Sequence, residues 1–276
     1  MSDLVLVDRP QPHTTVLTLN RPERLNAMSI DLVIALHDAL NAANDDNDCY
    51  VVVLTGAGRG FCSGLDLKDF GVVPNIDGLQ VGRIAQRSMR AYSRLIPQIR
   101  RMHQPVICAV NGPSYGGGMC LTLAAELRIA SESATFNSTG IVNGLTSTEL
   151  GVSWLLPRLI GAAHSNDILL TGRTVDAADA LRMGIVNHVV PADQAFDKGM
   201  SIARTMAKAS ERSVRLTKRA VNAQYEAMGF SGAMRAALDT DVLLNAGSSP
   251  EKREFARIRK EQGVKAALAW RDARFK

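Results

Sequence analysis

Residues 50–67, YVVVLTGAGRGFCSGLDL, join an apolar run directly to a glycine-rich loop. The run 50–55 is short, continuous and rich in β-branched residues, which predicts a strand buried on both faces. Glycines in the loop 56–64 let backbone N–H groups approach a ligand with no side chain in the way. The stretch therefore predicts a buried sheet with a backbone-lined loop at the end of one strand.

The same arrangement occurs a second time along the chain. Another apolar run, 105–110, leads into the loop 111–118, NGPSYGGG, which opens a small-residue helix ending near Ala125. A helix N-terminus adds positive partial charge and unpaired N–H groups. Two such loops can each supply one N–H to a single oxygen, which is an oxyanion hole; two tight turns without a ligand are the alternative. The glycines do not match the dinucleotide-binding fingerprint, because the third is misplaced and no acidic residue follows about 20 residues on.

Strand and helix patterns alternate over the first 190 residues, and helical patterns follow. Further strands are predicted at 4–7, 15–19, 128–130, 135–137 and 185–190. Helices are predicted at 30–44 with Ser29 as cap, and at 79–102, 147–160, 164–170 and 176–183, the last ending at Gly184. Residues 192–276 are predicted to be helical with a break at 247–250. This order is typical of an α/β core with a helical C-terminal portion.

The composition is that of an ordinary globular chain, since 46% of its 276 residues are hydrophobic and 21% are charged. Much of the net charge of +5 lies in the stretches 212–219 and 252–260, where basic and apolar residues alternate at helical spacing. We interpret these stretches as solvated helix faces or, alternatively, as part of a phosphate-binding rim. Nucleic acid is disfavoured as a partner because basic and aromatic residues do not interleave.

The cysteines Cys49, Cys62, Cys108 and Cys120 form no CxxC pair. Three of them lie in apolar or glycine-rich segments, which is typical of buried thiols in a reduced, intracellular protein. The N-terminal residues lack a secretion signal, and no apolar run approaches the roughly 20 residues of a membrane helix. A cytoplasmic location without membrane contact is therefore expected. The histidines are scattered, so no metal site is expected.

The two loops and three further motifs resemble those of the enoyl-CoA hydratase/isomerase family, the crotonase superfamily. The further motifs are 20–28 (NRPERLNAM), 170–173 (LTGR) with the segment from Ala177 to Val186, and the segment from Gly263 to Phe275. All of them occur in the family's order and span nearly the whole chain. By this resemblance the chain is identified as a member of the family.

The resemblance implies an α/β fold in which a spiral of ββα units forms two stacked sheets, followed by a helical trimerisation region. The expected division is a core of residues 1–195 with the CoA and active site, and a helical C-terminal region of residues 196–276. Members of the family are homotrimers or dimers of trimers, and their C-terminal helices often complete a neighbour's CoA site. The basic stretch 252–260 and Arg271 would serve such a site. The expected ligand is an acyl-CoA substrate, with no cofactor besides the CoA it carries.

The resemblance also assigns the site. It implies that the thioester carbonyl lies between the backbone N–H groups of Leu65 and Gly117, where an enolate oxygen would be stabilised. The residues implied to line the CoA and the acyl group are Arg24, Leu25, Ser63, Gly64, Asp66, Leu67, Gly116, Cys120, Asn137 and Gly140. Arg24 is the candidate contact for a phosphate, with solvated surface as the alternative.

The chain departs from the family at the acid–base residues. Hydratases of the family hold a water molecule between two glutamates, and this chain has Cys120 and Gly140 at those positions. Neither residue can do paired acid–base work. Glu149, eight residues before Pro157, falls where dienoyl-CoA isomerases of the family carry a catalytic aspartate. An apolar pocket would raise the pKa of Glu149 and suit it to acid–base catalysis; a place in the first turn of a helix is the alternative role.

Three functions remain open at this point. The first is double-bond chemistry on an enoyl-CoA with Glu149 as acid/base: hydration, a lyase reaction and the family's commonest activity, or isomerisation, which suits a single carboxylate. The second is another reaction of the family, such as thioester hydrolysis, decarboxylation or dehalogenation. The third is an acyl-CoA-binding protein that has lost catalysis. Cys120 is interpreted as a buried small residue, with a nucleophilic thiol as the alternative.

Overall fold

A computed structural model describes residues 3–69, 71, 73–247 and 249–275, without the side chains of Val81, Ala85, Glu149, Asn245 and Ala246. Its strands are β1 (Val5–Gln11), β2 (Thr14–Leu19), β3 (Val51–Gly56), β4 (Val106–Val110), β5 (Ser114–Tyr115), β6 (Leu127–Ser131), β7 (Thr135–Asn137), β8 (Val175–Asp176) and β9 (His188–Val190). Its helices are α1 (Ile30–Asn44), α2 (Val81–Ser93), α3 (Leu95–Arg101), α4 (Gly117–Ala124), α5 (Val152–Thr171), α6 (Ala177–Met183), α7 (Ala195–Met206), α8 (Glu211–Ala227), α9 (Phe230–Ala246), α10 (Pro250–Gln262) and α11 (Val264–Ala273).

The main sheet has the order β1-β2-β3-β4-β6-β9. Strands β1 and β2 form an antiparallel hairpin, and the remaining neighbours are parallel. Every residue of β3 and β4 is buried, as the two continuous apolar runs predict. Both glycine-rich loops leave the carboxyl ends of these two adjacent parallel strands, so they begin side by side.

A second, smaller sheet has the order β5-β7-β8. Strands β5 and β7 are parallel, with Tyr115 paired to Asn137. This pairing brings the end of β7 next to the start of α4. The two-sheet arrangement expected from the family resemblance is therefore present, and the small sheet lies at the second glycine-rich loop.

The helix predicted at 79–102 is two helices, because α2 ends at Ser93 and α3 begins at Leu95. Pro97 explains the break. A proline lacks the N–H that would bind the Ser93 carbonyl, and its ring crowds that carbonyl. The apolar periodicity is unaffected by the interruption, so the sequence pattern alone favours one continuous helix.

The helix predicted at 147–160 begins only at Val152. Leu150 and Gly151 both have left-handed backbone, with φ of 49° and 80°, so they cannot continue a right-handed helix. Residues Glu149–Gly151 form a 3-10 turn ahead of α5. Gly161, with φ of 77° and ψ of 164°, then interrupts α5 between the two helical patterns that the sequence shows.

The C-terminal portion is helical with a break before Pro250, as predicted, and Ser249 caps α10 by accepting a hydrogen bond from the Lys252 N–H. Helix α7 packs on β3, β4 and β6, while α8 and α9 pack on α3 and α2. Helices α10 and α11 contact the core of the same chain: Arg259 donates to the Leu67 carbonyl (3.2 Å) and Arg271 to the Asn143 side chain (2.9 Å). Among the described helices, none has the length and apolar character needed to cross a membrane.

Candidate active site

The segment 20–28 braces the first glycine-rich loop. Asn26 is fully buried; its Oδ1 accepts the Arg21 N–H (2.8 Å), and its Nδ2 donates to the Ala57 and Gly60 carbonyls (2.9 Å each). One amide side chain thus ties two ends of the loop to the motif that precedes α1. From the sequence alone this motif points only to the family resemblance. The signal for such a brace is its asparagine, whose side chain offers both an acceptor and two donors near a glycine-rich loop.

Asp66 faces the protein interior in this structure. Its Oδ2 accepts a hydrogen bond from Arg21 Nη1 at 2.8 Å, and its Oδ1 accepts the N–H groups of Lys68 (2.9 Å) and Asp69 (3.0 Å). Burial acts to raise the pKa of Asp66, but these N–H groups and the Arg21 guanidinium together hold it below its ordinary value. The carboxylate expected beside CoA is thus engaged in an internal ion pair, and Arg21 is a site-building residue that sequence reasoning missed.

The two glycine-rich loops pack backbone to backbone. The Cys62 N–H donates to the Pro113 carbonyl (3.2 Å), and the Tyr115 N–H donates to the Cys62 carbonyl (2.9 Å). A Cβ added at Gly118 would lie 2.2 Å from the Cys62 carbonyl oxygen, so only glycine fits there. Burial raises the pKa of the Cys62 thiol to about 12, so the thiol remains neutral and fills space.

The Leu65 N–H faces away from the segment that braces its loop. The Met28 N–H donates to the Gly64 carbonyl (2.7 Å), and the Asp66 N–H donates to the Met28 carbonyl (3.1 Å). In a parallel bridge of this kind, the residue between the two bonded groups directs its own N–H to the opposite side. The Leu65 N–H therefore points away from Met28 and is not used in this bridge.

Gly117 provides the neighbouring N–H group. It is the first residue of α4, and the N–H groups of a helix's first turn have no acceptor within the helix. A Cβ added at Gly64, the residue before Leu65, would lie only 3.4 Å from the Gly117 nitrogen. The structure thus brings the two predicted donors together from different loops. Their role as an oxyanion hole stays a prediction.

Asn137 anchors the end of β7. Its carbonyl accepts the Gly116 N–H (2.8 Å), its Nδ2 donates to the Gly172 carbonyl (2.8 Å) and to Thr174 Oγ1 (2.9 Å), and its Oδ1 accepts the Thr139 N–H (2.6 Å). Its side-chain amide thus binds the 172–174 turn and its backbone carbonyl binds the second loop, while its predicted contact with the substrate stays a prediction.

The two positions where hydratases of the family carry glutamates differ in the space they offer. Cys120 is 1% exposed and lies one turn into α4, where its N–H donates to the Gly116 carbonyl. A Cβ added at Gly140 would lie 2.1 Å from the Thr146 carbonyl oxygen and 3.0 Å from the Ser147 Cα. Any side chain at residue 140 would collide with the backbone that closes over it.

The 3-10 turn Glu149–Gly151 lies beside the second glycine-rich loop. A Cβ added at Gly117 would be 3.4 Å from Leu150 Cδ1, and one added at Gly151 would be 2.3 Å from Met234 Sδ on α9. Glu149 is therefore the chain neighbour of Leu150, whose side chain lies beside Gly117. The side chain of Glu149 is outside the described part of the structure, so its role stays a prediction.

The remaining predicted contacts form a half-buried rim on the first loop. Ser63 donates its N–H to the Leu25 carbonyl (3.0 Å) and its hydroxyl to the Arg24 carbonyl (3.3 Å). Farther along the same segment, the Leu67 carbonyl accepts a hydrogen bond from Arg259 of α10. Gly64 of the first loop packs against Gly116 of the second, since a Cβ added at Gly64 would lie 3.4 Å from the Gly116 Cα. Across the described residues, no three His, Cys, Asp or Glu side chains gather as a metal ion would require.

The chain is also similar to known proteins in sequence. A family model described as enoyl-CoA hydratase/isomerase matches residues 11–259. A protein of Mycobacterium bovis described as a probable enoyl-CoA hydratase is 49% identical over 233 residues, which are 84% of this chain and 82% of that protein.

Two solved structures show the same fold. A monofunctional enoyl-CoA isomerase from Mycobacterium smegmatis is 41% identical, with a TM-score of 0.70 over 84% of this chain and 99% of that chain. An enoyl-CoA hydratase/isomerase from Xanthobacter autotrophicus is 31% identical, with a TM-score of 0.90 over 100% of both chains.

Proposed function

Because the chain belongs to the enoyl-CoA hydratase/isomerase family, we propose that it moves the carbon–carbon double bond of an enoyl-CoA thioester without adding water. Its activity is that of an acyl-CoA enzyme of this family. The isomerase assignment is narrower. We further propose that the protein uses no cofactor besides the CoA of its substrate and that it works as a homotrimer or a dimer of trimers.

Gly140 carries the assignment. Hydration in this family uses two carboxylates around one water molecule, and the place of the second one is filled by the Thr146 backbone, 2.1 Å from where a Cβ would start. The place of the first is taken by the buried Cys120. Isomerisation needs only one acid–base group, because the same group can remove a proton from one carbon and return it to another. The close likeness to a monofunctional enoyl-CoA isomerase supports the same choice.

The proposed reaction on a 3-enoyl-CoA has two proton transfers. Glu149 as carboxylate removes a proton from C2, and the electron pair moves toward the thioester oxygen to give a dienolate. The N–H groups of Leu65 and Gly117 donate to that oxygen, and each such donor is typically worth about 3 kcal/mol in the transition state. Glu149 then returns the same proton to C4, so the double bond moves from C3–C4 to C2–C3 and no atom is gained or lost.

The rim of the first loop is the proposed CoA site. Arg24 is half-buried beside Leu25 and Ser63, where a guanidinium can contact phosphate. Arg259 already reaches this loop from α10 through the Leu67 carbonyl. The basic stretch 252–260 and Arg271 are therefore proposed to close the thioester site from the same chain.

The test uses 3-enoyl- and trans-2-enoyl-CoA with wild type, Glu149→Gln and the exposed control Glu132→Gln. Absorbance follows conjugation of the double bond, and mass spectrometry identifies the product. We expect conversion of the 3-enoyl thioester at constant mass, a loss of about 10²–10⁴-fold in kcat for Glu149→Gln, and full activity in the control. A mass gain of one water would make the protein a hydratase with a relocated carboxylate. Tight binding with no conversion would make it an acyl-CoA-binding protein.

A further inference from the structure

Helix α9 has a buried face that contains one charged residue. Met234, Ala237 and Asp241 are 7%, 5% and 5% exposed, and their spacing of three and four residues places them on one side of the helix. Met234 packs on Gly151, in the turn that contains Glu149. An isolated carboxylate on such a face is costly unless it has hydrogen-bond partners, so the partners of Asp241 indicate what it does there.

Two of its partners come from the loop just before Glu149. Thr146 Oγ1 donates to Asp241 Oδ1 at 2.5 Å, and Thr148 Oγ1 donates to the same oxygen at 2.9 Å. The two hydroxyls are also 2.7 Å apart. One carboxylate oxygen therefore holds two threonines that precede Glu149 by three residues and by one.

The same loop shapes the space around Gly140. The Thr146 carbonyl closes that position, and the Ser147 Cα lies 3.0 Å from where a Cβ would be. Among the described residues, the buried hydroxyls of Ser147 and Ser138 have no hydrogen-bond partner. The loop that Asp241 binds is therefore the one that closes over the place where the family's second glutamate would stand.

We propose that Asp241 is a positioning residue for the reaction: by binding Thr146 and Thr148 it fixes the loop that carries Glu149 beside the second glycine-rich loop. The proposal rests on the proposed function and names a residue, on a C-terminal helix, through which Glu149 is held. Burial raises the pKa of Asp241, and the two threonine hydrogen bonds act in the opposite direction. The protein retains a carboxylate here in spite of its desolvation, which agrees with a specific anchoring role.

The test compares Asp241→Ala, which removes the acceptor, with Asp241→Asn, which keeps an Oδ1. Asp239→Ala is the matched control, because Asp239 is exposed on the same helix two residues away. Misplacing a reacting group by about 1 Å can cost on the order of 10²-fold, so we expect kcat to fall at least about tenfold in Asp241→Ala with KM within about twofold. Asp241→Asn should recover most of kcat, and Asp239→Ala should equal wild type.

A coupling measurement separates positioning from general damage. The pair Thr146→Val and Thr148→Val should lower kcat about as much as Asp241→Ala, and the triple variant should be no worse, because all three changes release the same loop. Multiplicative losses, or losses that only follow the folded fraction in thermal unfolding, would overturn the proposal.

Hydrogen exchange tests the role of Asp241 even if the protein is not an isomerase. With wild type and Asp241→Ala, each with a saturated acyl-CoA present, we expect faster amide exchange at 145–150 in the variant and equal exchange in β3 and β4. Unchanged exchange at 145–150 would overturn the role of Asp241 whatever the reaction is. Lack of turnover in wild type, with the exchange difference present, would reject the isomerase assignment and keep the anchor.

Discussion

The two sides of the candidate site are held in place by different kinds of contact. The first glycine-rich loop, 56–64, and the residues that follow it to Leu67 are fixed by backbone hydrogen bonds and by Asn26 and Arg21 from the motif that precedes α1. The segment 138–151, which carries Gly140 and Glu149, is fixed by threonine hydroxyls to Asp241, a residue 93 to 95 positions away in the chain. The half of the site that would bind the thioester oxygen is therefore built within the N-terminal part of the chain, residues 20–118, and the proposed acid–base half depends on a C-terminal helix.

This difference indicates which half of the site can be altered by substitution while the structure of the other half stays intact. The backbone-to-backbone packing of the two loops leaves no space for alternatives at Gly64 or Gly118. The 146–148 loop depends on side-chain hydrogen bonds, which substitution can remove while the glycine-rich loops stay intact. A substitution that releases the 146–148 loop is thus expected to affect the side of Glu149 without altering the packing of the two glycine-rich loops.

The largest expected effect is on the half that would bind the thioester oxygen. Asp66→Ala leaves the buried Arg21 guanidinium without its carboxylate, and breaking a buried pair in this way typically costs about 3–5 kcal/mol. Asp69→Ala is the control, because the Asp69 side chain is 60% exposed and 3.5 Å from Arg21; its cost should stay below about 1 kcal/mol. Urea unfolding of both variants measures the difference. Equal costs would mean that the Arg21–Asp66 pair does not hold the loop.

The next effect is on the predicted oxyanion hole. Gly64 has φ of 87°, and a Cβ there would lie 2.8 Å from the Tyr115 carbonyl oxygen. Gly64→Ala should therefore displace the Leu65 N–H from the Gly117 N–H and lower kcat by about 10²–10³-fold. Gly229→Ala is the control, because Gly229 has φ of 96° but nothing within 4 Å of the added Cβ. Steady-state rates with 3-enoyl-CoA decide the question, and similar rates in the two variants would contradict the assignment of these donors.

A smaller effect is expected where the acid–base half closes over Gly140. Gly140→Ala forces the Thr146 backbone to move and should destabilise the protein by about 1–3 kcal/mol. Gly82→Ala, with nothing within 4 Å of the new Cβ in α2, should instead stabilise by roughly 0.5 kcal/mol.

Restoring both glutamates, as Cys120→Glu with Gly140→Glu, should not produce hydration of trans-2-enoyl-CoA. Appearance of hydratase activity in that variant would show that the loop moves aside easily.

The smallest effect is a pH dependence of opposite sign in the two halves. The pKa of Asp66 is lowered, so its contribution to folding is present above the ordinary value of 3.8 and is lost as the pH falls through the lower folded pKa. The pKa of Asp241 is raised, so its contribution is full below 3.8 and is lost as the pH rises through the higher folded pKa.

Urea unfolding at about pH 7 and about pH 3.5 tests both signs, with wild type, Asp66→Asn and Asp241→Asn. On acidification, the stability advantage of wild type over Asp66→Asn should shrink. Over the same interval, wild type should gain stability relative to Asp241→Asn. Parallel changes in the two comparisons would mean that the aspartates occupy similar environments.

Several elements could be predicted from the sequence because their causes are local. The buried strands β3 and β4 follow from continuous apolar runs, and the caps at Ser29 and Gly184 follow from the chemistry of helix ends. The errors have equally definite causes. Pro97 divides the helix predicted at 79–102, and the left-handed backbone of Leu150 delays α5, although leucine itself gives no sign of it.

The sequence by itself determined the family and the two glycine-rich loops, because these depend on residue types within short motifs. Through the same resemblance it predicted that Cys120 and Gly140 replace both hydratase glutamates. Only the tertiary structure decided that Asp66 pairs with Arg21, that the Thr146 backbone seals Gly140, and that Asp241 holds the loop before Glu149. These are contacts between segments far apart in the chain. Hydrophobic periodicity and turn chemistry act over a few residues, so no local pattern records which distant hydroxyl or guanidinium a buried carboxylate will find.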